Sequence, residues 1–203
     1  MDTIYDRQQQ LDLQIPETAT VVGCGGTGFW TALFLAMSGV ENLILIDDDV
    51  MEDTNRNRLF IREEDVGRPK AEVLKAKILQ VRDIRIETQA MKILNETDCQ
   101  VLRVSVFCCT DTIKSQQLIC AYCRKNKIPY QRIGYDGTVL NVSSAFPLSF
   151  DDNLDENRQG YTFAPSWVVP CVASAAFGVF SRLKNAVNLM DDMGKTITVG
   201  TSY

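Results

Sequence analysis

The sequence predicts an α/β chain, a doubly wound and mainly parallel sheet with helices on both faces and antiparallel strands added at the C-terminal side. Three observations predict it. Short apolar runs rich in Val, Ile and Leu alternate with helical stretches from Thr20 to Ile133. Residues 21–50 read as strand, glycine-rich turn, helix and second strand. That second strand ends in Asp47, Asp48 and Asp49, an acidic cluster at the carboxyl end of a strand, where such sheets bind ligands. At 203 residues the chain is long enough for one domain with a sizeable core, so residues 1–203 are read as a single unit.

Each element follows from local pattern. Residues 1–18 form an N-terminal helical arm, with 4–14 as a short amphipathic helix closed by Pro16. Residues 20–23 are the first strand, 27–38 a helix stopped by Gly39, and 42–47 the second strand. A charge-rich irregular loop covers 49–65, and Pro69 suits the first position of a helix that runs to about Val81. Residues 85–91 alternate as a strand does, and 101–109 are apolar enough to lie centrally in a parallel sheet. A helix over 112–126 and a strand over 129–133 follow, then an antiparallel addition over 137–146. Residues 151–167 begin polar and acidic and are expected to be a mobile loop. The apolar run 168–180 is about a dozen residues and is followed by Arg182 and Lys184, so it reads as a buried helix, too short to span a bilayer.

Gly23, Gly25 and Gly28 fit G-x-G-x-x-G, and Gly26 adds a fourth glycine. Such a turn brings backbone N–H groups and a helix N-terminus against a phosphate. Asp47 lies about 20 residues on, where a carboxylate takes ribose hydroxyls. That motif alone does not choose between NAD, FAD and ATP. Downstream, Asn55, Arg58, Arg68 and Lys70 crowd behind the strand end, and Asp111 closes the 101–109 strand. A hydride-transferring enzyme has no general need of that set. Cleavage of ATP between its α- and β-phosphates does, because charge grows on the leaving pyrophosphate. Lys70 carries the point independently: a cation in a helix's first turn opposes the macrodipole unless an anion is shared there. Arg68 either assists or faces solvent.

The chain resembles the ThiF/MoeB family, the adenylating domain of ubiquitin-activating enzymes, with its Rossmann-like fold. The motifs are YDRQ, GCGGTG, the DDD strand end, N-R-N-R, VGRPK and CTDT, in the family's order over residues 5–146. The resemblance implies ATP-dependent adenylation of the C-terminal glycine carboxylate of a small ubiquitin-like or sulfur-carrier protein, with release of pyrophosphate. It implies that Asn55, Arg58 and Lys70 meet ATP phosphates, and that Asp47 meets the ribose. Asp111, with Thr112 beside it, is the family's Mg²⁺-binding aspartate, unless its carboxylate merely caps the helix that follows. Arg7 matches an arginine that reaches into the other subunit of a homodimer; otherwise it is a surface charge. Cys171 follows Pro170 at a helix start, where the dipole would lower its pKa and favour a thioester role; against this, its neighbours are apolar and buried cysteines are common. Relatives hold a structural zinc with two C-x-x-C pairs. Here Cys120 and Cys123 form one pair and no cysteine lies between Cys123 and Cys171, so no zinc is expected.

A net charge of −5 argues against nucleic-acid partners, which are held by Lys and Arg at phosphates. The absence of histidine excludes imidazole bases and ligands. Seven cysteines in mostly apolar contexts, with a polar opening and no signal peptide, point to a reducing cytoplasm. Two other functions fit parts of the pattern: a non-catalytic partner subunit of an adenylating heterodimer, and an NAD(P)-binding oxidoreductase. Adenylation of a different carboxylate is a further variant.

Overall fold

The computed structural model describes residues 4–137, 139–145, 165–184, 186–190 and 196–200. Its main sheet is built from β1 (Thr18–Val22), β2 (Asn42–Ile46), β3 (Arg85–Gln89), β4 (Val106–Cys108), β5 (Tyr130–Asp136) and β6 (Val139–Ser143), with helices α1 (Gly26–Ser38), α2 (Lys70–Leu79), α3 (Ile113–Lys125) and α4 (Val168–Lys184). Spatial order is β3-β2-β1-β4-β5-β6. The first five strands pair in parallel and β6 pairs antiparallel to β5, as expected for 137–146. Two further strands, β7 (Ala186–Met190) and β8 (Thr196–Gly200), form a separate antiparallel hairpin.

Strand periodicity sorts the core into two layers. Val21, Leu43, Leu45, Phe107 and Ile133 face α1, α2 and α4, meeting Phe29, Leu35, Leu74, Ile78, Val179 and Leu183. The alternate residues Val22, Ile44, Ile46, Val106 and Cys108 face α3 and the segment 93–102, meeting Ile119, Cys120, Cys123, Cys99 and Leu102. Cys120 and Cys123 are therefore apolar core side chains. Gly178 lets α4 lie close on β5, since a Cβ there would stand 2.4 Å from Ile133 Cδ1.

Four expected elements need correction. The arm is not a helix: among its described residues only Gln9–Leu11 forms one 3₁₀ turn, and Asp12 ends it at a left-handed φ of 48°. Nothing in that turn is buried, and a short helix without tertiary burial is marginal. The arm is instead held at single points, Gln8 Nε2 donating to Ser38 O at 2.7 Å and Gln14 N to Leu183 O at 2.7 Å. The loop after β2 is not wholly irregular, since Asp53–Asn57 and Glu63–Asp65 are 3₁₀ turns. Pro69 stands one residue before α2, at its N-cap with φ −55° and ψ 132°, not inside it. The strand over 101–109 shrinks to three residues because Asp98–Val101 is helical and Val104 takes φ 49°. Residues 151–164 of the expected mobile loop lie outside the described residues. Among the described residues no helix is long and apolar enough to cross a membrane.

Candidate functional site

Strand order reverses between β1 and β4, and the chain leaves both strands at their carboxyl ends there, opening a crevice. Gly23, with φ 87°, carries the chain out of β1. A Cβ at Gly23 would lie 2.9 Å from the backbone of Cys109 and Thr110, so the exit of β4 passes directly against it. Gly28 is held tighter, because its Cβ would sit 1.7 Å from the Gly23 carbonyl oxygen. Gly25 is the N-cap of α1 and supplies no side-chain bond, so the first-turn amides keep their donors for a ligand.

On the β2 side, Asp47 is half-buried and fixed by two amides, Cys24 N to Oδ2 at 2.6 Å and Asp49 N to Oδ1 at 2.8 Å. Burial raises its pKa against the pull of those amides and of the Lys70 ammonium. Two carboxylate oxygens still have lone pairs to accept hydroxyls. Asp48 and Asp49 are exposed, and the ligand oxygens of the three aspartates lie within 4.8 Å of one another. Their repulsion is answered by lysines: Lys92 stands 3.4 Å from Asp48 and 4.0 Å from Asp49, and Lys70 2.8 Å from Asp49. Lys70 thus already has an anion in its first-turn position, so its location does not by itself call for a phosphate. The Lys70 hydrogen bond holds the Asp49 carboxyl below its ordinary range.

The loop after β2 is braced from within. Asn55 is buried, its Oδ1 accepting from Glu52 N at 3.1 Å and its carbonyl from Arg58 N at 3.1 Å. Arg58 donates from Nη1 to Thr54 O and to Asn57 Oδ1, both at 2.9 Å, and its own carbonyl accepts from Trp30 Nε1 of α1 at 2.9 Å. Arg56 pairs with Asp53 on the surface. Arg68 turns to Asp65, whose buried carboxylate also meets Lys77 at 2.6 Å and the Arg62 amide at 3.0 Å. Burial pushes the Asp65 carboxyl up, and those three partners bring it below its ordinary value.

On the β4 side, Asp111 is exposed, and the Thr112 hydroxyl donates to it at 3.4 Å. Thr112, not Asp111, is the N-cap of α3, which removes the capping explanation for Asp111. The turn that carries Asp111 is tied down behind it: Gln116 Nε2 donates to Thr110 O at 2.6 Å, and the buried Arg132 Nε donates to Gln116 Oε1 at 2.7 Å.

Cys171 lies over the same turn. A Cβ on Gly26 would stand 2.8 Å from its Sγ, 3.4 Å from Tyr135 Oη and 3.6 Å from Arg58 Cδ. The thiol is fully buried, and burial raises its pKa in spite of Tyr135, Arg58 and Ser166 nearby. This reverses the lowered pKa expected from the helix dipole, because desolvation outweighs a helix end. Tyr135 and Ser166 share a hydrogen bond, and Asn57 Nδ2 holds the Ser166 carbonyl at 2.8 Å. Sequence reasoning passed over Tyr135, Ser166 and Asn57, and it ended the strand at Ile133, two residues short of Tyr135.

The fold places Gly23, Gly25, Gly26, Gly28, Asp47, Lys70, Asp111 and Thr112 on the turns and helix starts that follow β1, β2 and β4, with Asn55 and Arg58 in the loop after β2 and Cys171 packed on Gly26. It leaves Arg7 out. Tyr5 packs on Gly39, and Gln8 bonds Ser38, so Arg7 is exposed near the carboxyl end of α1. The glycine turn is at the other end, about 20 Å away for 13 residues.

The profile of the ThiF family matches residues 3–177. The sulfur carrier protein ThiS adenylyltransferase of Escherichia coli K12 is 30% identical over 169 residues, covering 77% of this chain and 66% of that protein. The tRNA threonylcarbamoyladenosine dehydratase of the same organism is 34% identical over 122 residues, covering 58% of this chain and 46% of its own length. Among solved structures, E. coli MccB aligns with a TM-score of 0.76 over 99% of this chain and 72% of its own, at 21% identity, a likeness of fold. The chain spans about half to two thirds of the length of the relatives it matches. It belongs to the ThiF family.

Proposed function

We propose that this ThiF-family chain activates a carboxylate with ATP. The acceptor is the C-terminal glycine of a small ubiquitin-like or sulfur-carrier protein. A carboxylate oxygen attacks the α-phosphorus, the bond from that phosphorus to the bridging oxygen breaks, and acyl-adenylate and pyrophosphate result. No general base is needed, since the nucleophile is already an anion at neutral pH. The observation that carries the proposal is the uncapped glycine turn at the strand-order reversal, with Asp47 on one side and Asp111 on the other.

In this reading the ribose hydroxyls donate to Asp47, and the amides at the start of α1 donate to the phosphates. Arg58 moves its guanidinium from Thr54 and Asn57 to the polyphosphate, where forked donors suit a pyrophosphate in flight. Lys70 exchanges or shares its Asp49 partner with a phosphate. Asn55 serves mainly by bracing the loop that carries Arg58. Asp111 offers the exposed hard oxygen donors that Mg²⁺ takes, and Mg²⁺ bound there would neutralise phosphate charge. Arg7, too far from its own turn, fits a homodimer in which it serves the other subunit. Cys171 is assigned a packing role against Gly26, so the chemistry stops at the adenylate. Seven cysteines, none of them in a disulfide, suit a reducing cytoplasm.

The test is Mg·ATP and NAD binding by calorimetry, followed by ATP–pyrophosphate exchange with candidate carrier proteins. Mg·ATP binding weakened about tenfold or more in Lys70→Ala and Asp111→Ala, with NAD silent, is the expected result. A folded dimer that binds no ATP belongs to the partner-subunit class instead, and NAD binding points to an oxidoreductase.

A further inference from the structure

We propose that Tyr135 is a phosphate-binding residue: its phenol donates a hydrogen bond to a phosphoryl oxygen carried over Gly26, and Ser166 positions it to do so. The assignment rests on the ATP-dependent reading of the site and names one further contact within it.

The geometry comes from three elements that meet at one point. Tyr135 lies near the carboxyl end of β5, the strand next to β4. Its Oη would be 3.4 Å from a Cβ on Gly26, the first residue of α1, and Arg58 Cδ would be 3.6 Å from the same Cβ. The Cys171 sulfur stands nearest that point, at 2.8 Å, so a phosphate that reaches the Gly26 amide comes up beside the sulfur and the phenol, with the Arg58 guanidinium swinging in from Thr54 and Asn57. Burial and the Cys171 sulfur push the phenol to about 12, so it keeps its proton at neutral pH. In the unliganded protein that proton is directed at Cys171 or Ser166. Sulfur is a weak acceptor and a phosphoryl oxygen a strong one, so an incoming phosphate displaces it. The Ser166 hydroxyl can then donate to the phenol oxygen and hold the ring in place.

Ser166 is itself coupled to the arginine loop. Asn57 donates to the Ser166 carbonyl at 2.8 Å and accepts from Arg58 at 2.9 Å. Arg58, Asn57, Ser166 and Tyr135 thus form one hydrogen-bonded chain around the start of α1.

The experiment measures Mg·ATP, AMP and adenosine binding by calorimetry on the full chain, wild type, Tyr135→Phe and Ser166→Ala, with the thermal midpoint of each unliganded protein. Tyr135→Phe should raise the Mg·ATP Kd about tenfold, or about 1.4 kcal/mol, and leave adenosine unchanged. Ser166→Ala should raise it about threefold. A loss shared with AMP places the contact on the α-phosphate, and a loss confined to Mg·ATP places it on the leaving pyrophosphate; either supports the assignment. Unchanged Mg·ATP affinity in Tyr135→Phe overturns it while the ATP reading stands. So does an equal loss for adenosine with a lowered midpoint, which marks a structural ring. A wild type that binds no Mg·ATP removes both together, and the wild-type arm alone reveals that case.

Discussion

Gly26→Ala tests the packing of Cys171 on the glycine turn. The new methyl would stand 2.8 Å from Sγ, well inside the roughly 3.5–4.0 Å at which such atoms settle, while its next contacts, 3.4 Å to Tyr135 and 3.6 Å to Arg58, are nearly ordinary. One atom causes the conflict. Overpacking of this kind costs about 1–3 kcal/mol. Gly26 is not in the left-handed region, so alanine returns about 0.4–1 kcal/mol by restricting the unfolded chain. The net expectation is a loss of up to about 2.6 kcal/mol, a fall of up to roughly 10 °C in midpoint for a chain of this size. In a Cys171→Ala background the sulfur is gone and the methyl takes its space, so the same substitution should be neutral or stabilising. Urea unfolding of all four proteins gives the cycle, and a coupling of about 1–3 kcal/mol is expected. Equal cost in both backgrounds would refute the contact. Mg·ATP binding by the double variant separates two further causes: recovery means the methyl acts by displacing Cys171, and continued loss means that it blocks phosphate directly.

Asp65→Asn should cost about 3 kcal/mol in chemical denaturation, because it leaves the nearly buried Lys77 without its carboxylate; a cost below 1 kcal/mol would show that solvent rescues the lysine. The Asp65 carboxyl is lowered in the fold, so its contribution is present above the ordinary carboxylate range and disappears as pH falls through the lowered value, which an acid titration of the wild type and Asp65→Asn would reveal as a smaller acid dependence in the variant. At the alkaline end, Cys108, Cys109 and Cys123 are each raised by burial from 9.0 to about 12. Stability from these thiols is intact below pH 9 and declines between 9 and 12 by about 1.4 kcal/mol per pH unit for each, so denaturation at pH 8 and 10 should differ sharply, and less so in Cys123→Ala. Gly28→Ala should not fold to the native state, because 1.7 Å to a backbone oxygen leaves no side chain to yield; a native circular-dichroism spectrum and midpoint would show that α1 shifts with ease.

The parallel order of the sheet and the identity of its glycine turn were legible because strand and helix periods are local, and because β-strands that bury both faces read as continuous apolar runs. Length was less legible. Residues 101–105 look like strand, yet Thr20 Oγ1 donates to the Arg103 carbonyl at 3.0 Å across the layer and the chain bends there. The arm failed for the opposite reason: its pattern is amphipathic, but its apolar side is covered only in part, with Tyr5 and Ile15 against the domain and Ile4 and Leu11 left exposed. At the site, residue types were readable and partners were not. Lys70 looked like a cation lacking an anion because Asp49 is 21 positions away in sequence and one ion pair away in space. Cys171 stood at a helix start as expected, but its burial depends on Gly26 and Tyr135, which only the packing of α4 beside α1 and β5 brings to it.

The pairing of β1 with both β2 and β4 also orders the site in time. Thr20 lies beside Ile44 on one flank and beside Val106 on the other, so the two walls of the crevice close loops of very different length. The Asp47 wall can arise from early, local contacts, whereas the Asp111 and Tyr135 wall must await a chain closure several times longer. During synthesis the amide-rich start of α1 is therefore exposed before the elements that flank it exist. ATP, which would bind only once both walls stand, should speed refolding little and slow unfolding more, leaving the nucleotide as a latch on the last contacts to form.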